Sequence, residues 1–364
     1  MENGNAVNAG NEEMVENKRI SPKKRRRNMV LLSVFVALLV VGAVAWKCLL
    51  NANRLAVTED TVIYIPTGAD YGSAVDTLMA HNCLKDTVFF SKLARYKKYP
   101  SHVRPGRYLL KPDMDVNMLL NKLKSGNQDP VRVTIGKFRT KESLAGRVSK
   151  KFEFDSLQLL AALNSDSLMN TFGCSAENAL ALFTQNTYEI YWNTSPEDFL
   201  ARMKTETDRF WKGGRHNSAK KMEMTVNEIV TLASIVEEET NRNDEKADIA
   251  SVYLNRLRKG MLLQADPTVK FALQDFEIRR VLNRHLQYDS PYNTYMYKGL
   301  PPAPICIPSQ KTIDAILENK KTDYLYFCAK EDFSGYHNFA RSVEEHNINA
   351  AKFRNELNKR KIYK

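Results

Sequence analysis

Hydrophobic residues recur at helical spacing through a central segment, Thr225–Thr240, around which the rest of the chain is arranged. Its apolar positions lie three or four residues apart, as expected for a helix with one face turned inward: Ile229, Leu232, Ala233 and Val236. Thr225 and Glu228 have the spacing of a capping box, which marks a helix start. The segment predicts a helix that ends in three consecutive glutamates.

These glutamates, Glu237, Glu238 and Glu239, cannot share one environment because successive helical residues point about 100° apart. The pattern places Glu239 on one flank of the apolar stripe, Glu237 near the other flank, and Glu238 toward solvent. A carboxyl on an apolar flank is partly desolvated, which raises its pKa and suits a general acid. The alternative is a solvated helix end without function, where each acid opposes the helix dipole by about 0.3–1 kcal/mol.

The N-terminal pattern predicts a membrane anchor. Residues 1–28 form a polar tail that ends in the basic run Lys23–Arg27 and is not expected to fold alone. Residues 29–50 follow, and their uncharged part, Met29–Trp46, is long enough for a transmembrane helix. The basic flank predicts a cytoplasmic N-terminus, with the remaining chain beyond the membrane. Cleavage as a signal peptide at Ala43–Ala45 is the alternative.

Residues 58–130 carry the pattern of a small βααβ module. Strands are predicted at 61–66 and 106–110, with helices at 73–81 and 86–96 between them and a closing helix at 116–123. This order resembles the LysM fold, a module that often binds cell-wall glycan. A structural spacer above the membrane is the alternative.

The following part of the chain mixes strands and helices. A strand is predicted at 131–135, helices at 141–152 and 198–211, partly helical structure over 157–181, and a polar loop at 212–218. Aromatic residues are dense at 183–192, which suits either a sugar-binding wall or a core strand.

Beyond the central helix, the chain is predicted to form a second helix, a pocket-shaping loop and a hairpin. The helix covers 247–259 and is followed by a turn at 264–268, where Asp precedes Pro. Residues 290–308 are too rich in proline and tyrosine for a flexible linker, so an ordered loop is expected. Strands are predicted at 324–329 and 336–339, and a last helix from Ser342.

Composition narrows the classes of partner. The chain has a formal charge of +12, which suits a polyanionic partner: nucleic acid, an anionic membrane surface or an acidic wall polymer. It lacks zinc-finger spacing and RNA-binding signatures, so nucleic acid is not a predicted partner. The 5 cysteines include no C-x-x-C pair, which gives no support for a metal knuckle or a redox centre.

Several motifs appear in an order that resembles the YceG-like family of membrane-anchored endolytic murein transglycosylases. They are ASIVEEET at 233–240, NRLRKGMLLQADPTV at 255–269, SPYNTYMYKGLPPAPI at 290–305, YLYFCA at 324–329 and HNFARSVEEHN at 337–347. The resemblance implies a catalytic domain at 131–364 with its core at 223–347. It also implies that Glu239 is the catalytic residue, in agreement with the helix geometry. The predicted fold class is therefore α+β: one N-terminal transmembrane helix, a LysM-like βααβ module and a mixed α+β catalytic domain.

The sequence departs from the family pattern at five positions: Gln185, where proline is usual, Asn186, where an acidic residue is usual, Ala303, Ser309 and Ser342. The change at Asn186 puts any acidic role there in doubt. None of the five affects Glu239.

Beside the catalytic Glu239, the motifs supply further candidates for a substrate cleft: Glu237, Gln264, Asp266, Tyr292, Asn293, Thr294, His337, Phe339, Glu345, His346 and Asn347. For the polar ones, a hydrogen bond that stabilises a loop is the alternative, and Tyr292 and Tyr295 suit either a sugar platform or the core. Glu237 diverges from Glu239 on the helix, which favours a structural role. His337 and His346 lack a third ligand at a metal-binding spacing, so no metal and no cofactor is predicted.

The resemblance implies cleavage of the β-1,4 bond between N-acetylmuramic acid and N-acetylglucosamine without water. Because the muramyl 6-hydroxyl is the nucleophile, one glutamate can serve as both acid and base, whereas glycosidases use two carboxyls. The expected partners are peptidoglycan strands, the cytoplasmic membrane and proteins of wall synthesis. Two alternatives stay open: a non-catalytic wall-binding scaffold, and a muramidase whose second carboxylate is Asp266 or Glu237.

Overall fold

The computed structural model describes residues 22–278 and 280–361. Its first element is helix α1 (Pro22–Ala52), which is long and apolar enough to cross a membrane. Part of the predicted polar tail therefore belongs to this helix, because Lys and Arg are good helix formers and extend a helix already nucleated by the apolar run. The rest of the tail, residues 1–21, lies outside the described residues.

The next unit has the predicted element order. It consists of β1 (Thr61–Ile65), α2 (Tyr71–Ala80), α3 (Thr87–Tyr96), β2 (Gly106–Leu110) and α4 (Val116–Ser125). β1 and β2 pair antiparallel, with Ile63 opposite Tyr108, and both side chains are fully buried. Aspartate side chains cap the first turns of α2, α3 and α4, which explains why these helices begin where the sequence has Asp70, Asp86 and Asp115.

A second unit follows: β3 (Val131–Ile135), α5 (Lys141–Val148), α6 (Ser156–Asn164), α7 (Asp166–Thr171), β4 (Asn186–Ile190), α8 (Pro196–Trp211) and α9 (Gly214–Lys221). β3 and β4 form an antiparallel pair in which Val133 faces Tyr188, both buried. The aromatic stretch at 183–192 thus supplies a core strand at its centre. Trp192, at the end of the stretch, packs against Tyr64 of β1, with ring centres 5.0 Å apart.

The predicted polar loop at 212–218 is wrong, because most of it belongs to α9. Gly213 has φ of 82°, a left-handed conformation that breaks α8 and redirects the chain. Ala219 then packs into the core, so a segment without an apolar stripe becomes helical through this tertiary contact.

The last unit is built on α10 (Val226–Glu239). It continues with α11 (Lys246–Arg258), α12 (Asp266–Leu273), α13 (Asn283–Leu286), α14 (Gln310–Leu317), β5 (Tyr326–Ala329), β6 (His337–Ala340) and α15 (Val343–Lys359). β5 and β6 form the predicted hairpin. α10 carries the predicted capping box. Every residue from Ile229 to Val236 is buried, rather than one stripe alone, because helices α9, α11, α12 and α14 all pack against it.

Two further features concern the segments beside α10. The predicted turn at 264–268 is wrong in its second half, where α12 begins with Pro267 in its first turn, a position in which proline's missing N–H costs nothing. Between α13 and α14 the chain forms the ordered, irregular loop predicted from its prolines. The buried side chain of Asn293 holds it, donating to the carbonyls of Leu286 and Tyr288 at 3.0 and 2.8 Å.

Candidate active site

The three glutamates at the end of α10 meet three different surroundings. Glu237 lies beside the buried ammonium of Lys246, at 2.9 Å, and accepts hydrogen bonds from the hydroxyls of Ser309 and Thr312. Burial by itself raises the pKa of Glu237, but these hydrogen bonds and the lysine charge outweigh it and hold the pKa below its ordinary value. The charged carboxylate of Glu237 therefore links α10 to α11 and α14.

Glu238 does not point into solvent, and that expectation is wrong. Arg139 binds its carboxylate through two hydrogen bonds of 2.9 and 2.8 Å, and Lys137 lies 3.5 Å away. Burial raises the pKa of Glu238, yet the bonds from Arg139 and the two positive charges lower it further than burial raises it. The reason is tertiary: the segment after β3 folds over the end of α10, which the helix pattern alone does not reveal.

Glu239 is the one member of the three without a cationic partner in contact among the described residues. Its Oε1 accepts a 2.5 Å hydrogen bond from the Tyr253 hydroxyl on α11. Protein atoms surround the carboxyl closely, although one side stays open to a cleft. Burial raises the pKa of Glu239 to about 7, the negative charge of Asp266 adds to the rise, and the Tyr253 hydrogen bond and the Lys270 charge oppose it.

The cleft has a volume of about 450 Å³ and is lined by polar and aromatic side chains in similar measure. It contains four of the residues predicted from the sequence: Glu239, Gln264, Asp266 and His346. Seven more residues line it: Tyr253, Arg256, Leu263, Tyr295, Tyr326, Phe327 and Val343. Tyr295 is thus a cleft residue rather than a core residue.

Asp266 is the second carboxylate of the cleft and lies in the first turn of α12, where the helix dipole favours a negative charge. The Tyr295 hydroxyl donates a 2.6 Å hydrogen bond to its Oδ1. Burial raises the pKa of Tyr295 far above its ordinary value, and the Asp266 carboxylate raises it further. Tyr295 therefore stays protonated and orients Asp266, much as Tyr253 orients Glu239.

Arg256 fixes one wall of the cleft. Its guanidinium donates to the carbonyls of Leu325 and Leu263 at 2.7 and 2.8 Å, and to the side chain of Gln264 at 3.2 Å. Gln264 has φ of 53°, an uncommon left-handed conformation for a residue with a side chain. These bonds tie α11, β5 and the bend before α12 together, so the strained bend is held where it faces Glu239.

The cleft also has an aromatic part next to Arg256. His346 on α15 stacks on Tyr326 of β5 with ring centres 5.4 Å apart, and the Arg256 guanidinium lies 5.0 Å from the Tyr326 ring. Burial lowers the pKa of His346, and the Arg256 charge lowers it further, so the imidazole is neutral at neutral pH. Its Nδ1 is buried and has no hydrogen-bond partner within the described part of the chain.

The predicted residues in the loop between α13 and α14 do not line the cleft but pack behind it. Thr294 is buried, with its hydroxyl 2.8 Å from that of Thr268 and accepting from the backbone N–H of Ala265 at 3.0 Å. Asn293 holds its own loop, as described above, and the ring of Tyr292 packs at a tilt against that of Phe271, with ring centres 4.8 Å apart. For Asn293 and Thr294 these contacts fit the loop-stabilising alternative, and for Tyr292 they fit packing against the core.

The hairpin candidates also lie outside the lining of the cleft. His337 binds the buried carboxylate of Glu245 through its backbone N–H and its Nδ1, at 2.8 and 3.0 Å. Phe339 packs on Tyr324. Glu345 and Asn347 are exposed on α15. Of the two histidines of this motif, the structure brings only His346 to the cleft.

Among the cleft residues that sequence reasoning missed, Tyr253 and Arg256 make the hydrogen bonds that shape the site. They lie three residues apart and so share a face of α11. An inward tyrosine and an inward arginine on the helix next to the glutamates was a signal that could have found them.

Comparisons with known proteins agree with the motif pattern. The sequence profile of the YceG-like family matches residues 63–352. An endolytic murein transglycosylase of Bacillus subtilis (strain 168) is 30% identical over 82% of this chain and 86% of its own length. One of Streptococcus pneumoniae is 28% identical over 87% of this chain, which spans 63% of that longer relative.

Solved structures point the same way. The crystal structure of a YceG-like protein from Listeria monocytogenes superposes with a TM-score of 0.54 at 27% identity, covering 80% of this chain and 99% of that one. The profile match spans most of the chain, including α10, the cleft and the hairpin. The chain belongs to the YceG-like family.

Proposed function

We propose that this protein is an endolytic murein transglycosylase that cleaves the β-1,4 bond between N-acetylmuramic acid and N-acetylglucosamine and leaves a 1,6-anhydro-muramyl end. The observation that supports this most directly is the Glu239 carboxyl, open to a cleft and with a pKa raised to about 7. The relatives named endolytic murein transglycosylase support the same reaction.

In the proposed reaction Glu239 acts twice. Its protonated carboxyl donates the proton to the glycosidic oxygen as the bond from the anomeric carbon breaks. The resulting carboxylate takes the proton from the muramyl 6-hydroxyl, whose oxygen bonds to the anomeric carbon. The proton count on Glu239 is restored, and water is not consumed.

The hydrogen bonding of Glu239 suits this double role. Tyr253 occupies Oε1, and among the described residues no donor reaches Oε2. Oε2 is then the oxygen that faces the scissile bond, and the tyrosine fixes the rotation of the carboxyl. A carboxyl with a pKa near the working pH is both a competent acid and a competent base.

Asp266 is proposed to act through its charge. Its carboxylate keeps Glu239 protonated and stabilises the positive charge that develops on the sugar ring during bond cleavage. Gln264 and His346 are proposed to bind sugar hydroxyl or acetamido groups, since both line the cleft. Glu237 is proposed as a structural residue and not as a substrate ligand.

The remaining parts of the chain fit a membrane-anchored enzyme. We propose that α1 spans the cytoplasmic membrane with the basic N-terminal tail inside, so that residues 58–364 face the wall. In this division residues 58–130 form a LysM-like module, and residues 131–364 form the catalytic domain. Contact with wall-synthesis proteins is a further expectation from this location.

A muramidase is the second candidate, because Asp266 places a second carboxylate in the cleft. It would hydrolyse the same bond and leave a reducing sugar. Glu237 is a poor partner in such a mechanism, since its carboxylate is held by Lys246, Ser309 and Thr312. A non-catalytic scaffold would retain the cleft without needing an acid of raised pKa.

The test uses the full-length protein in detergent with purified peptidoglycan, and mass spectrometry reads the products. Wild type is expected to release anhydro-muramyl ends, and Glu239→Gln to lower their rate by about 10³-fold. Glu228→Gln is the matched control, since it makes the same change on the same helix and glutamine preserves the capping box. Reducing ends would establish the muramidase, and glycan binding without products would establish the scaffold.

A further inference from the structure

A second cleft lies where the βααβ unit meets the following unit. It has a volume of about 780 Å³, and its lining includes Tyr64 of β1, Arg107 of β2 and Arg132 of β3. The lining also includes Lys150 and Lys151, which follow α5, and Trp192, which follows β4. None of these residues lines the Glu239 cleft.

The junction is built by specific contacts. Glu153 accepts hydrogen bonds from the backbone N–H and the hydroxyl of Thr67 at 2.7 and 2.6 Å. The backbone N–H of Glu153 donates to the carbonyl of Trp192 at 2.9 Å, and the rings of Tyr64 and Trp192 lie 5.0 Å apart. The two units therefore meet with Tyr64 and Trp192 held side by side in the wall of the cleft.

The lining is cationic and aromatic. Among the described residues that line this cleft there is no carboxylate. Arg107 donates to the carbonyls of Asp129 and Pro130, and Arg132 lies 3.9 Å from Glu189, with both side chains largely exposed. Lys150 and Lys151 are exposed and have no ion-pair partner in the described chain. Two cations are thus available to an anionic ligand.

We propose that this junction cleft binds a carboxylate-bearing aminosugar strand, at a site separate from the bond that is cleaved. Tyr64 is 41% exposed, so its ring offers a face on which a sugar can stack, and Trp192 widens that platform. Lys150 and Lys151 pair with carboxylates that project from the strand, either on lactyl groups or on peptide stems. The inference rests on the proposed function, which makes murein the polymer within reach.

An anionic membrane surface is the other source of negative charge near this unit. The geometry favours the strand, because the aromatic rings line a concave cleft, Val131 there is buried, and Pro130 is the one exposed aliphatic residue of its lining. Insertion into a bilayer would require projecting apolar side chains.

The test uses the full-length Glu239→Gln protein in detergent, so that ligands are not cleaved during titration. Three probes are compared: murein strands with intact stems, amidase-treated strands that keep only lactyl carboxylates, and uncharged chitin oligosaccharides. Lys150→Ala/Lys151→Ala should weaken binding about fivefold for the carboxylate-bearing probes and leave chitin binding unchanged. Loss with intact strands alone would assign the contact to stem carboxylates, and loss with amidase-treated strands alone would assign it to lactyl carboxylates, which are amide-linked to the stem in intact strands. Loss with both would show that the two lysines accept either carboxylate.

The aromatic part is tested separately, since Tyr64→Ala should weaken binding of all three probes. Lys220→Ala/Lys221→Ala is the matched control, an adjacent exposed pair on α9 whose removal changes net charge equally. An equal loss in this control, no loss in the junction variants, or binding only to anionic phospholipid vesicles would overturn the inference. Failure of the proposed function shows itself independently, as unchanged product formation when Glu239 is replaced.

Discussion

The hydroxyl of Tyr253 donates a 2.5 Å hydrogen bond to Oε1 of Glu239, which joins the last residue of α10 to the middle of α11. Both groups are desolvated, and burial raises the pKa of each. The hydrogen bond favours the charged form of Glu239, so it moderates a rise that burial alone would carry further. The pair sets the balance between acid and base on which the proposed mechanism depends.

Replacing Tyr253 by Phe removes that hydrogen bond without emptying the space. The pKa of Glu239 should rise, because the stabilisation of its carboxylate is lost, and the basic limb of the pH–rate profile should move to higher pH. The rate near neutral pH should fall about tenfold, since the carboxyl loses its fixed rotation. Tyr297→Phe is the control, a tyrosine that also donates to a carboxylate, Asp289, but outside the cleft. An unchanged basic limb would contradict the assignment.

The rate of wild type should depend on pH through Glu239. Because its pKa is raised to about 7, the carboxyl is protonated below that pH and loses its proton above it. The value of kcat/KM for release of anhydro ends should therefore fall as pH rises through about 7. Initial rates on soluble strands measure it, and a profile that is flat across neutral pH would exclude Glu239 as the acid.

The same shift makes a prediction about stability. The folded-state pKa of Glu239 lies above its unfolded value, so the folded protein binds more protons and its stability falls as pH rises from about 4.5 to about 7. The raised pKa corresponds to a change of at most about 3 kcal/mol in the free energy of unfolding. Water in the cleft solvates the carboxylate and makes this change smaller. Glu239→Gln should therefore unfold at a higher temperature than wild type at pH 8, with little difference at pH 4.5. An equal rise in unfolding temperature at pH 8 and at pH 4.5 would contradict the raised pKa of Glu239.

Asp266→Asn separates the two reactions considered for the cleft. Loss of its charge should lower the pKa of Glu239 and move the basic limb to lower pH, with a rate about 10- to 100-fold lower and anhydro ends still formed. Asp289→Asn on the neighbouring loop is the control. If Asp266 were instead the second carboxylate of a muramidase, its replacement would abolish the release of reducing ends.

The buried pair of Lys246 and Glu237 should matter for stability rather than chemistry. The Lys246 side chain is 4% exposed, so Lys246→Met leaves the Glu237 carboxylate without its cation and should lower the free energy of unfolding by about 3–5 kcal/mol. Adding Glu237→Leu should recover much of that loss. Urea unfolding measures both. Lys320→Met, which breaks the more exposed pair with Asp248, should cost less than about 1 kcal/mol.

Patterns among residues close in sequence predicted most of the helices and strands. The strands at 106–110 and 131–135 and the start of α10 follow from alternation and capping, which depend on neighbours in sequence. The errors occur where a local signal was overridden. Residues 214–221 became helical without an apolar stripe, and Pro267 opened a helix where a turn was expected. In both cases packing against the rest of the chain decided the outcome.

For the candidate site, the sequence by itself singled out Glu239, because the phase of the helix places Glu237 and Glu239 on the two flanks of the apolar stripe and the family motif selects Glu239. Only the tertiary structure decided what surrounds it. The segment after β3 covers Glu238, α11 brings Tyr253 to Glu239, and a bend held by Arg256 brings Gln264 and Asp266 to the cleft. The physical reason is one of range: helical phase extends over a few residues, whereas desolvation and charge act between groups that only the folded chain brings together.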